Sequence, residues 1–313
     1  MTRRLNWILL ALLMLVGVPY YWLLVDNRPG DAAPKAVTIA QLRQLAGSLP
    51  GPKPSGVEME RVATRDVPGT LFVAGTGLKQ RPIAVMAFRL PVTGGKPIVI
   101  DAGFTRADAE GMGIDTWSGE AQGRVDRTMA EAGLILITHE HPDHIGGLIG
   151  WAGNEAGFMA KVYGKQRMTT PQSAYVAEKL GLRINNADPV LERPPFAIAP
   201  GVVAIPAPSH TPGSQMYFVQ LAGGREYLFA GDIATMDESW KELRARSRLI
   251  GDFLAPEDRA AVFSWLRTIR ALKQAAPGMV VVPGHDADTV LSEERPTGIR
   301  KGFDLPQIKA AVQ

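Results

Sequence analysis

The chain has 313 residues, 46% of them hydrophobic, with 34 Lys and Arg against 31 Asp and Glu for a net charge of +3. That length and apolar content suit one large domain or two smaller ones with a substantial core. The charge is spread with no basic tract, which disfavours a nucleic-acid surface, and the complete lack of cysteine excludes disulfides, a thiolate nucleophile and a Cys-ligated metal.

After Arg3 and Arg4 the run WILLALLMLVGVPYYWLLV (7–25) carries no charge over 19 residues, enough for a helix to cross a hydrocarbon core of roughly 30 Å. Tyr20, Tyr21 and Trp22 lie near its far end, where an interfacial aromatic belt would sit, and the two arginines place the rest of the chain outside the cytoplasm. The run is longer than the ~7–15-residue core of a signal peptide, and no A-x-A site follows it directly. An uncleaved anchor is therefore the leading expectation, with a cleaved signal peptide and a buried soluble helix as the other readings. The first implies a periplasmic or other extracytoplasmic domain on an inner membrane, the second secretion to the periplasm.

Residues 26–56 read as a linker containing one short helix over IAQLRQLA, opened by Thr38 with Gln41 three positions on. The folded domain is expected from Val57 to the last residue, 313. Strand-like runs follow at 57–63, 70–75, 83–90 and 97–103, then a helix ending at 125–134 and the uniformly apolar strand LILIT at 134–138. A second series comprises strands at 201–207, 215–221, 227–231 and 279–284 and a helix at 256–274. In that helix Val262, Leu266, Ile269 and either Leu272 or Lys273 form one stripe. Sheets interspersed with helices imply an α/β layered fold.

THEHPDHIGG (138–147) holds three of the five histidines. Where the chain leaves strand 134–138 in extended form, His139, His141 and Asp143 share one side. Pro142 stiffens the turn, and His144 opens a helix from which it can reach a neighbouring position. The remaining histidines, His210 and His285, each follow a predicted strand, as does Asp232, and strand exits are where α/β sheets present sites. Imidazole and carboxylate suit Zn²⁺ and related ions, and two adjacent groups of them suit a dinuclear centre.

HEHPDH resembles the HxHxDH signature of the metallo-β-lactamase superfamily. The later order of His210 in HTPGS, Asp232 in GD and His285 in PGH resembles the rest of the ligand set of its dinuclear hydrolases. The resemblance spans about residues 57–290. It implies a four-layer αβ/βα sandwich with the metals between its halves, one held by His139, His141 and His210, the other by Asp143, His144 and His285, and Asp232 bridging. Asp101 in IDAG would then support the site, although a turn-capping role serves the same residue. The cofactors implied are two divalent metal ions, zinc first, with iron or manganese as alternatives.

Departures from particular branches narrow the reading. Asp232 stands where dinuclear zinc β-lactamases carry Cys or Ser, and His141 stands where flavodiiron proteins carry Glu, while Glu140 is expected to point away from the metals. The acyl-homoserine lactonases place a Tyr just after the bridging Asp, whereas Ile233, Ala234 and Thr235 follow it in this chain; Tyr217 or Tyr227 could reach the pocket by another route. The helical glutathione-binding domain of glyoxalase II is expected to be missing. The branch indicated hydrolyses small esters, lactones or thioesters, with a small-molecule substrate, no nucleic acid and the membrane as its other contact. Asp143 is the candidate for orienting the attacking hydroxide and moving its proton. Ordinary packing is the commoner fate of Phe104, Met112, Trp117, Trp240, Leu243 and Phe253, with an apolar rim for an acyl chain as the other reading, and Arg244, Arg246 and Arg248 are expected to meet an anionic group or to make a solvated helix face. The alternatives are a mononuclear iron dioxygenase of the persulfide type and an inactive, membrane-tethered metal-binding module.

Overall fold

The structure, a computed structural model, describes residues 3–28, 30, 32–114, 116–182, 194–294 and 296–305. Among the described residues eleven strands form two sheets: β1 (Val57–Pro68), β2 (Gln80–Leu90), β3 (Ile98–Ile100), β4 (Leu134–Leu136), β5 (Gln166–Arg167), β6 (Phe196–Ala199), β7 (Val202–Pro206), β8 (Gln215–Gln220), β9 (Glu226–Gly231), β10 (Val280–Pro283) and β11 (Ile299–Lys301). The first sheet has the order β11-β1-β2-β3-β4-β5 and the second β10-β9-β8-β7-β6. In each, antiparallel pairs give way to parallel ones on the side that carries the site: β3 runs parallel to β4, and β9 to β10.

The uniformly apolar strands are explained by burial on both faces. In β8, Tyr217 and Val219 point into the layer between the sheets, while Met216 and Phe218 point to the outer helices, as a side-chain period of two requires. Val202 and Ala204 of β7 divide from Val203 and Ile205 in the same way. The helix Arg259–Ala275 covers the second sheet through Val262, Leu266, Ile269 and Leu272, all buried. Helices Gly119–Glu131 and Pro142–Ala152 cover the first through Val125, Met129, Ile145 and Leu148. The result is the four-layer helix–sheet–sheet–helix sandwich.

Three features differ from the sequence reading. Residues 70–75 are not a strand: Gly69–Phe72 makes one helical turn and the chain then loops back, with Thr70 N–H bonded to Gly77 O and Gly69 N–H to Lys79 O. A short apolar run has no periodicity that separates strand from helix, and its flanking glycines favour the turn. β5, β6 and β11 lie outside the runs expected as strands. Residues 26–56, expected as a tether, lie largely against the domain. Helix Ile39–Ala46, capped by the Thr38 side chain, packs onto the second sheet with Leu42 and Ala46 fully buried, and burial of Leu42 alone contributes roughly 1.5–3 kcal/mol. Arg43 pairs with both carboxylate oxygens of Glu226 at 2.7 and 2.8 Å, and Pro54 bridges to Val92.

Arg3–Val25 is a continuous helical segment of 23 residues, long and apolar enough to cross a membrane, and none of it is buried in the protein. That exposure removes the reading of a core helix.

Candidate metal centre

Strand exits deliver the site residues. His139, His141, Asp143 and His144 follow β4, Asp101 follows β3, His210 follows β7, Asp232 follows β9 and His285 follows β10. The two sheet edges are tied together there by Gln215 N–H donating to Thr138 O at 2.8 Å, and Ala84 N–H donating to His285 O at 2.9 Å. Gly231 turns the chain out of β9 at φ 50°, a conformation that disfavours any residue with a Cβ, and so aims the next side chain, Asp232, inward.

All seven expected ligands come together. His139, His141, His210 and Asp232 form one group, and Asp143, His144 and His285 a second, each with its donor atoms within 4.8 Å of one another. His141 Nδ1 lies 3.0 Å from both His139 Nε2 and His210 Nε2. Asp232 stands between the groups: its Oδ1 is 3.4 Å from His144 Nε2, and its Oδ2 is 3.1 Å from His285 Nε2 and 3.7 Å from His210 Nε2. Asp143 Oδ2 lies 3.5 Å from His285 Nε2 and 3.7 Å from His144 Nε2.

The protons on the outer ring nitrogens are accounted for, which fits the inner nitrogens to cations. His144 Nδ1 lies 2.9 Å from Asp101 Oδ2, His285 Nδ1 lies 2.8 Å from Ala84 O, and His210 Nδ1 lies 2.9 Å from Glu257 Oε2. Each acceptor takes an Nδ1 proton and leaves Nε2 as the ring nitrogen that faces the cluster, the usual arrangement behind a metal-binding histidine. His144 Nε2 and Asp232 Oδ1 are buried without a hydrogen-bond partner, an expense that a cation would offset. Nitrogens 3.0 Å apart are also near the roughly 3.3 Å edge of a tetrahedron with ~2.0–2.1 Å bonds to zinc.

Asp101 takes the supporting position rather than capping its own turn. Its Oδ1 accepts from Thr138 N–H, 37 positions on, at 2.7 Å, its Oδ2 faces His144, and it takes a left-handed φ of 59° to do so. Glu140 points away from the cluster and clamps the His210 loop, accepting from Gly213 N–H at 3.0 Å and Thr211 Oγ1 at 2.7 Å. Glu257 was not among the residues expected at the site, because an acid in APEDR reads as an ordinary helix N-terminal residue. Burial raises its pKa to about 7, opposed by Arg246 and Arg259.

Electrostatics divide the histidines. Burial holds His139 and His210 well below the usual imidazole pKa, helped by the neighbouring charge of His144 for the first and Arg246 for the second. Burial also acts on His144 and His285, but the carboxylates of Asp101, Asp143 and Asp232 around His144, and Asp232 beside His285, outweigh it and raise both. A cation must displace the protons that these two rings hold, so binding at the Asp143/His144/His285 group weakens on acidification, by up to roughly tenfold per pH unit for each proton released. The first group, already neutral, is far less sensitive. Metal content after dialysis through a falling pH series is therefore expected to drop from two ions to one before it drops to none; simultaneous loss of both would contradict this division.

A cleft of about 560 Å³ opens above the cluster, floored by His141, Asp143, Asp232, Arg246 and His285 and walled by apolar residues including Val67, Leu71, Phe72, Ile83, Ile114, Ile250 and Leu254. Of the six candidates weighed for packing or for a rim, Met112 alone lines it. Phe104 and Trp240 are buried in the cores, Trp117 packs against the core and donates to Phe104 O, Leu243 packs on the second sheet, and Phe253 faces outward. Aromatic residues near a strand exit were more useful for packing than for lining. The three arginines also separate: Arg246 is buried in the site against Asp232, with Nε 3.2 Å from Thr235 Oγ1, whereas Arg244 bonds Ala74 O and Arg248 pairs with Asp26 and Asp252. Tyr217 and Tyr227 do not reach the cleft; their hydroxyls donate to Ile137 O and Thr297 O.

The profile of the metallo-beta-lactamase superfamily matches residues 81–285, and the chain belongs to that superfamily. No curated protein matches it. Among solved structures it is similar to a quorum-quenching N-acyl homoserine lactone lactonase, 17% identical, covering 77% of this chain and 95% of that one with a TM-score of 0.59. It is also similar to an N-acyl homoserine lactone hydrolase with the product N-hexanoyl-L-homoserine bound at the catalytic metal center (17% identity, 76% and 95% coverage, TM-score 0.58). A probable metal-dependent hydrolase from Staphylococcus aureus is similar at 15% identity, 76% and 91% coverage and a TM-score of 0.54. These likenesses define the fold.

Proposed function

We propose that the chain is a metal-dependent hydrolase of esters, lactones or thioesters, anchored by residues 3–25 with its catalytic domain on the outer face of an inner membrane. The observation that carries the reading is the convergence of seven His and Asp side chains in two adjoining groups on the floor of an apolar cleft. His139, His141 and His210 would hold one cation, Asp143, His144 and His285 the other, with Asp232 shared between them. Two such cations supply hydroxide at neutral pH and polarise a carbonyl oxygen.

The remaining chemistry falls to the chain's own groups. Asp143, at the cleft floor beside His285, orients the attacking oxygen and carries its proton to the leaving group. The new bond joins that oxygen to the carbonyl carbon, the acyl C–O or C–S bond breaks, and the products are a carboxylic acid and an alcohol or thiol. Asp101 and Glu257 fix the rings of His144 and His210. Arg246 brings a guanidinium to the cleft floor beside Asp232 and His210, where it can bind an anionic oxygen of the substrate. Arg246→Ala is expected to keep its metal while kcat/KM falls about 10- to 100-fold, the worth of one charge-assisted hydrogen bond. Loss of metal instead would make Arg246 a structural prop.

The test is turnover of a panel comprising a lactone, a carboxylic ester, a thioester, a phosphodiester and a β-lactam. Hydrolysis confined to acyl substrates without the β-lactam is expected, and it should stop on chelation. Activity on the phosphodiester alone would overturn the assignment.

A further inference from the structure

The root of the N-terminal helix is fastened to the same two segments that wall the cleft. Leu24 O accepts from Gly75 N–H at 2.9 Å and from Thr70 Oγ1 at 2.5 Å, on the loop containing Gly69–Phe72. Trp22 packs edge-on against Phe253, ring centroids 6.0 Å apart, on the segment Leu249–Leu254, and Arg248 lies over the Trp22 ring. Buried Asp26 receives Arg248 at 3.2 Å, and Asn27 bonds both Leu243 O and Ala245 N–H. From those segments Leu71, Phe72, Ile250 and Leu254 face the cleft. Exposed apolar side chains continue along the same two segments: Phe253 and Leu254 are 56 and 69% exposed on one, and Leu78 is 58% exposed on the loop leading from Gly69–Phe72 to β2. A tether that swings freely would leave the cleft orientation random with respect to a bilayer; this root, hydrogen-bonded on several sides, does not.

We infer that the cleft opens onto the bilayer in which residues 3–25 are seated and admits its substrate from there, and that this substrate is a membrane-resident ester bearing a long acyl chain. The ester class rests on the hydrolase reading above; the route of access does not. Leu78 and Phe253 enter the outer edge of the hydrocarbon region together with Trp22, and the acyl chain passes over Leu254 into the space bounded by Leu71, Phe72 and Ile250. Met112 and Ile114 line the cleft from the segment after helix Arg106–Gly111, which is neither of the two segments that hold the helix root, so label on them reports a chain inside the cleft. Water then cleaves the acyl C–O bond, its oxygen going to the acid product and a proton to the departing alkoxide.

The test uses the full chain reconstituted in vesicles of phosphatidylethanolamine and phosphatidylglycerol containing a tracer phosphatidylglycerol with a diazirine at the end of one acyl chain. After photolysis, labelled positions are mapped, and hydrolysis of a bilayer-embedded long-chain fluorogenic ester is compared with that of a water-soluble acetyl ester. Label is expected on Met112 or Ile114 as well as on Leu71 and Phe72. The variant Leu78→Asp/Phe253→Asp is expected to lower that label and the bilayer-ester rate at least tenfold while leaving acetyl-ester turnover unchanged. Label confined to residues 3–25, Leu78 and Phe253, with acetyl-ester turnover intact, would overturn bilayer access and leave the hydrolase reading standing. Label on Met112 with no ester of either kind hydrolysed would support the access route and overturn the hydrolase reading.

Discussion

Asp232→Ala is expected to lower both metal content and turnover, the latter on the order of 10³-fold or more, above the ~10²–10³ that a single oxyanion hydrogen bond is worth. Asp232 is buried, and its Oδ1 faces His144 while its Oδ2 faces His285, His139, His210 and Arg246. Burial alone would raise the Asp232 pKa, but His285, His144 and Arg246 outweigh it and hold the group well below the carboxylate range, so it is ionised throughout the working pH range. Removing it deletes the one anion that both groups share. Like charges on the two cations would then face each other without it, so at least one ion is expected to leave. Metal analysis alongside kinetics checks this; wild-type metal content with reduced turnover would show that Asp232 serves catalysis without holding the ions.

Gly147→Ala is expected to destabilise the domain by more than the ~1–3 kcal/mol typical of overpacking. A Cβ built there would lie 2.0 Å from the backbone oxygen of Ala102 and 2.8 Å from Gln122 Nε2, and backbone cannot move aside as a flexible side chain can. The contact matters for the site because helix Pro142–Ala152 carries Asp143 and His144 at its first turn, and Ala102 follows Asp101 on the facing strand exit. Ala102 N–H donates to His144 O at 2.8 Å and Gly147 N–H to Gly103 O at 2.9 Å, so displacing the helix separates Asp101 from His144. Thermal unfolding of the variant against Gly223→Ala, an open position without a left-handed φ, checks this. Equal midpoints would mean that the close approach is not needed. A folded Gly147→Ala with intact metal binding would refute the coupling to the site.

The convergence of these seven His and Asp side chains was legible in the sequence because strand exits leave a local signature. A uniformly apolar run ending in a histidine or aspartate, repeated along the chain, marks the edge of a buried sheet where polar groups converge. The sandwich was legible for the same reason: two series of apolar strands, each followed by an amphipathic helix such as Arg259–Ala275. Long-range partners were not legible. Nothing near Glu257 relates it to His210, 47 positions earlier, and nothing in the spacing of Arg244, Arg246 and Arg248 says which one turns inward. Hydrophobic residues close to the site in sequence proved a poor guide to the cleft. Its walls come instead from Val67, Ile83 and the 70–75 run, whose conformation depends on packing against the helix root and on Ala245. The 26–56 segment carries so much Pro and Gly that its composition resembles a tether, yet Leu42, Ala46 and Arg43 find partners on the second sheet.

The central claim is that the two groups of side chains hold two cations. The most direct measurement is elemental metal analysis per chain on the purified full-length protein, before and after exhaustive chelation and re-addition of zinc. The account predicts close to two ions per chain, lost and regained together with hydrolytic activity. One iron per chain with oxygen consumption and no hydrolysis would establish a mononuclear dioxygenase in its place. The absence of any bound ion, in a protein that remains folded, would contradict the proposed chemistry altogether.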